Sequence, residues 1–150
     1  MINLLDFIGL FSLLAGFIIG LGAVTVIDLH GFLGRKSTYW TEATTRTHKV
    51  TKPLIWLGIF LAVVGGFIFY RGSYGELIPQ LHALIAVVLI LNGVLLSFIV
   101  SPFLLKREKE GRSAELLPNS WQMKIMVGLV VSDLGWWSGL ALLVWYIIQI

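Results

Sequence analysis

The sequence predicts an all-α membrane protein, a single domain over residues 1–150 that forms an antiparallel up-down bundle of four transmembrane helices. Three observations carry this. Long apolar runs occupy 7–27, 54–70, 83–105 and 125–150, and Asp133 is the one charge inside them. Charged residues make up 13% of the chain, against about 25% in soluble domains. Ten of the eleven lysines and arginines fall in 28–53 and 106–124, the two stretches between apolar runs that a four-span chain places on one side; the tenth is Lys124, at the opening of the fourth span.

The runs are 21, 17, 23 and 26 residues long, and about 20 residues of helix cross a bilayer core. They are continuous rather than alternating, which disfavours strands, and a closed barrel needs about eight of those. The first span, 5–28, is expected to be retained. Its N-terminus lacks the positive region of a secretory signal, and its apolar run exceeds a signal core.

The connection 29–52 carries Arg35, Lys36, Arg46, Lys49 and Lys52. Within it, 39–50 reads as a short separate helix at the headgroups, with Glu42 and Arg46 spaced to pair. Thr51 is placed to cap the second span, 53–71, and Pro53 suits its first turn. Pro79 opens the third span, 80–105, and Pro102 is expected to end or kink it. The connection 106–121 is charged, with Lys106, Arg107, Lys109 and Arg112. At Asn119 to Gln122 the spacing resembles a capping box that opens the fourth span, 122–149.

The basic residues assign their side to the cytoplasm, which puts both termini outside a cell (inner) membrane. Tyr70, Tyr74, Trp145 and Tyr146 then belt the outer interface, and Tyr39, Trp40, Trp56 and Trp121 the inner one. Each span carries small residues on one face: Ser12, Gly16 and Gly20; Gly58, Ala62 and Gly66; Ala86, Gly93, Ser97 and Ser101; Gly128, Ser132, Gly135 and Gly139. Such stripes let helices approach closely in lipid, either within the chain or across a homo-oligomer.

With no cysteine, disulfides, thiolate metal sites and c-type haem are excluded. The net charge of +3 lies beside apolar spans, where anionic lipid meets it, so the expected partner is the bilayer and not nucleic acid. A membrane-complex partner stays open.

Asp133 is the most informative residue. It lies roughly 13 Å deeper than Lys124, at ~1.5 Å per residue, near mid-membrane. A carboxylate there is costly and should face the bundle interior. With Asn92 at similar depth, the pair reads either as a proton-relay or ligand-binding site, or as a hydrogen bond that locks two helices. His30 and His48 flank the first connection and, with Asp28 beside His30, could hold a metal, or the histidines sit at the interface. His82, at the far end of the third span, cannot share an iron with either, because most of the membrane separates them. Asp6 is its candidate neighbour for proton handling. Trp136 and Trp137, in mid-span, could line a cofactor or lipid-tail cavity, or fill a helix seam.

Three short motifs resemble a known group: Gly31-Phe32-Leu33-Gly34-Arg35, His48-Lys49-Val50-Thr51-Lys52-Pro53 and Leu81-His82-Ala83-Leu84. Over residues 9–100 the chain resembles the small four-helix membrane proteins of the HemJ-type protoporphyrinogen oxidases and the membrane domains of CopD-like copper-resistance proteins. The resemblance implies a haem b or other tetrapyrrole cofactor, or a proton-linked redox role. By the resemblance His82 would be the functional histidine; Asn92 and Trp136 join it as candidate cofactor-binding residues from their mid-span depth alone. It departs from the HemJ pattern twice. Leu84 stands where a lysine is expected, and Phe7, Phe11 and Ser12 occupy the region of a first-helix histidine. Two other classes are carried forward: a non-enzymatic membrane subunit or assembly factor, and a small ion or metal permease module.

Overall fold

The computed structural model describes the backbone of residues 3–34, 38–113 and 115–149, and side chains over 3–30, 46–113 and 115–149. Its helices are α1 (Leu4–Gly34), α2 (Thr38–Phe69), α3 (Leu77–Leu95), α4 (Ser101–Lys109) and α5 (Asn119–Gln149). A single π turn, Leu96–Val100, joins α3 to α4. The two form one rod, Leu77–Lys109, so four helical rods are long and apolar enough to cross a membrane. They make an all-α four-helix bundle. In it α1 lies beside α2 and α5, and α3 beside α5 and α2.

Glycine sets the closest seam. Gly9 faces Phe69, Leu13 faces Gly65, Gly16 faces Ala62 and Gly20 faces Gly58. The steps of four, three and four run in opposite senses along α1 and α2, so the two helices are antiparallel. A Cβ on Gly9 would sit 2.7 Å from the Phe69 amide nitrogen, a backbone clash that no rotamer relieves. The seam therefore uses Gly9 and Gly65 in place of Ser12 and Gly66. On the other rods, Gly135 meets Leu89 and Gly128 meets Leu96, while Gly139 meets Phe17.

Two connections differ from expectation. Residues 39–50 form no separate helix. They are the opening of α2, which spans 32 residues, about 48 Å at ~1.5 Å per residue. At this length α2 exceeds the roughly 20 residues of helix that cross a bilayer core. Pro53 is then interior to α2, and Thr51 is no cap: its hydroxyl donates back to the Thr47 carbonyl at 3.1 Å. The pairing of Glu42 with Arg46, the side chains of Tyr39 and Trp40, and Arg35 lie outside the described residues.

Pro102 does not end the third rod either. In the π turn the Ser101 amide bonds the Leu96 carbonyl, five residues back. The next amide in that pattern would serve the Ser97 carbonyl, but it belongs to Pro102, which has none. The freed carbonyl accepts from Lys52 Nζ at 3.2 Å. At the start of α5, Gln122 donates to the Leu117 carbonyl at 2.8 Å in place of a capping-box bond.

Trp136 and Leu143 fill the centre, 1% and 0% exposed, with Leu13, Phe17 and Val24 around them. A side chain on Gly20 would overlap the Trp136 ring. Tyr70 and Trp56 turn inward rather than belting an interface: Tyr70 is buried, and Trp56 Nε1 donates to Ser97 Oγ at 3.0 Å. Trp137, Phe60, Phe67, Leu91, Phe98 and Ile148 are exposed, an apolar surface that suits lipid rather than water.

Candidate functional site

All four rods contribute polar groups to one cavity in the half of the bundle that carries the lysines and arginines, here termed the basic end. Its volume is about 60 Å³. Asp28 enters from α1, His48 and Lys52 from α2, Asn92 from α3, Ser97 from the π turn and Ser132 from α5. Asp28 falls here because α1 continues past it to Gly34, which makes the residue interior to a helix rather than the start of a loop.

Three of these groups are committed to protein partners, one being the Ser97 hydroxyl, which accepts from Trp56 Nε1. Lys52 is held by the Ser97 carbonyl, and Asn92 Nδ2 donates to the Gly128 carbonyl at 2.9 Å. Three groups are not. Both carboxylate oxygens of Asp28, Nε2 of His48 and Nε1 of Trp136 are buried with no hydrogen-bond partner in the protein. All three residues line the cavity. Buried polar atoms rarely stay unsatisfied, and a cavity of this size has room for a water bonded to them, though most of its wall is apolar.

Asp28 also walls a second space. Between α1 and α5 lies a cleft of about 250 Å³, lined by Thr25, Asp28, Leu29, Met126, Leu129, Val130, Asp133 and Trp137. Asp28 is 7% exposed, Asp133 is half-buried, and the two carboxylates interact electrostatically. Asp133 is thus brought to Asp28. The expected partner Asn92 is bonded to Gly128 instead. Of the metal candidates Asp28, His30 and His48, the structure brings Asp28 and His48 to one cavity and leaves His30 outside it.

The opposite end holds His82. Its Nε2 lies 2.7 Å from the Gly139 carbonyl, and a carbonyl only accepts, so Nε2 carries the hydrogen. Nδ1 then accepts from the Tyr70 hydroxyl at 3.0 Å. The imidazole stacks on Tyr70, with ring centroids 5.4 Å apart. Beside them an otherwise apolar groove of about 350 Å³ opens between α2 and α3. Asp6 does not join His82. It pairs with Arg71 at 2.8 Å.

The histidines fit a haem or other tetrapyrrole poorly. His82 spends both ring nitrogens on the protein. His30 is exposed, with Nδ1 2.9 Å from the Val26 carbonyl of its own helix. His48 faces a cavity well below the ~300–1,000 Å³ typical of ligand sites. His30 does not line the His48 cavity, and no cluster of three or more metal-binding side chains occurs among the described residues. Trp136 meets Gly20 and Phe17 as a core side chain.

Comparison with family models, with curated proteins and with solved structures found no match to this chain.

Proposed function

We propose that this multi-pass membrane protein handles protons, with Asp28 as the exchanging group and Asp133 as its second carboxylate. One observation carries the reading. A buried carboxylate with two unpartnered oxygens forms the shared wall of a small cavity that holds other unpartnered polar atoms and of a cleft that contains another acid. Ionisable groups at membrane depth are expensive and mark proton or ion pathways.

In this reading the basic end faces the cytoplasm. Water in the cavity, bonded to His48 Nε2 and Asp28, brings a proton to a carboxylate oxygen. Asp133 receives it on the cleft side, and Asp28 is ionised again. Lys52 stays docked on the Ser97 carbonyl and supplies a fixed positive field beside the route. Two observations favour this over tetrapyrrole chemistry at His82: the occupied ring nitrogens there, and the free ones around Asp28. They also favour it over a purely structural role, because helix-locking polar groups are satisfied by one another, as Asn92 is by Gly128.

Infrared difference spectroscopy of the reconstituted protein across a pH step tests the proposal. Wild type should show carboxyl C=O bands that change with pH, one lost in Asp28→Asn and another lost or shifted in Asp133→Asn. Bands identical in all three proteins would refute it. A Soret band that survives purification and disappears in His82→Ala would shift the reading to the tetrapyrrole class.

A further inference from the structure

We infer that the cleft between α1 and α5 binds hydrophobic monovalent cations, such as quaternary onium ions or protonated amines on apolar bodies. The inference rests on the reading of Asp28 as an ionisable, exchangeable carboxylate, and it adds a ligand to that site.

The cleft has the chemistry such a ligand needs. It offers two acids and the Thr25 hydroxyl, and no basic side chain lines it. Asp28 is more than nine-tenths buried, and neither of its oxygens has a protein partner. The remaining lining is apolar or polarisable: leucine, valine, the Met126 thioether and the Trp137 indole. Indole faces attract cations, most strongly when the cation sheds its water. A hard divalent ion would want six or more oxygens, more than two carboxylates and one hydroxyl provide. An anion is repelled by both acids.

Access is lateral. Leu29, Val130 and Trp137 at the rim are 54%, 52% and 55% exposed on the apolar face of the bundle. A ligand that partitions into the bilayer reaches Asp133 without crossing the protein core. Charge balance then links it to protons. A monovalent cation neutralises one carboxylate, so cation and proton compete for the same pair. Among the described residues, the other titratable or charged groups that face Asp28 are His48 and Lys52 of α2. The third rod adds only the uncharged Asn92 and Ser97 to the adjoining cavity.

Equilibrium binding of radiolabelled tetraphenylphosphonium to the full-length protein in detergent tests this. Tetraphenylborate, of the same shape and opposite charge, serves as the control. Saturable phosphonium binding that weakens on acidification is expected, with no saturable borate binding. Asp28→Asn and Asp133→Asn should each weaken binding by at least about thirtyfold, as loss of a buried charge partner does. Trp137→Leu should weaken it about two- to fivefold. Trp145→Leu, on the same helix away from the cleft, should leave it unchanged. The variants' helicity and elution are to match wild type. The inference fails if phosphonium and borate bind alike, or if an Asp28→Asn/Asp133→Asn double variant binds phosphonium as wild type does. Titrating carboxyl bands without phosphonium binding would overturn this inference and leave the proton reading standing. Loss of both would remove both.

Discussion

At the scale of single residues, burial decides which charges matter, and sequence position alone does not reveal it. Asp133 was legible because it interrupts an apolar run. Asp28 was legible only as a metal candidate at the end of a run, and only the helix that continues beyond it and the α2 and α5 side chains around it make it interior. Arg107 is a second example. It reads as one of several loop cations, yet it is 5% exposed. Its Nη2 reaches the carbonyls of Arg112, Glu115 and Leu116 at 3.2–3.4 Å and the Glu115 carboxylate at 3.5 Å. The guanidinium gathers the chain after Gly111, whose φ of 71° turns it away from α4. Arg107→Ala should cost about 2–3 kcal/mol, the range of hydrogen bonds to a charged donor. Limited proteolysis should then cut within 110–118 faster than in wild type. Exposed Lys106→Ala should leave cleavage unchanged.

At the scale of elements, the stripes of small residues announced close helix contacts but not which stripe meets which. Gly65 and Gly66 both continue the face of Gly58 and Ala62 at helical spacing, and only the partner chooses between them. The α1–α2 seam chooses Gly65, opposite Leu13. Gly16→Leu should therefore force these backbones apart and destabilise the bundle by about 1–3 kcal/mol, the usual cost of overpacking. Gly22→Leu is the control, since nothing lies within 4 Å of its Cβ position. Denaturation of both variants in mixed micelles checks the difference, and equal stabilities would contradict the seam. The continuity of α2 through Pro53 was hidden for another reason. Proline at 53 suits a helix start, and the sequence does not show that α2 runs through it.

At the scale of the whole molecule, the four-span architecture was the most legible feature, because length and hydropathy act locally in each run. The proposed orientation rests on the sorted basic residues and has a direct check. The chain has no cysteine, so single-cysteine variants report cleanly. Cysteine at exposed Arg46 or Arg112 should react with membrane-impermeant maleimide only after the cell is opened, whereas cysteine at exposed Gly72 or Gly75 should react in intact cells. The reverse pattern would invert the bundle in the membrane. The order of synthesis adds a further consequence of the α1–α2 seam. That hairpin is complete once the ribosome has passed Phe69, whereas the α5 wall that encloses Asp28 is translated some fifty residues later. During that interval the nascent protein holds an acid on an uncovered flank, beside lipid or the insertion machinery. Biogenesis must therefore tolerate, or shield, a charge that the finished bundle encloses.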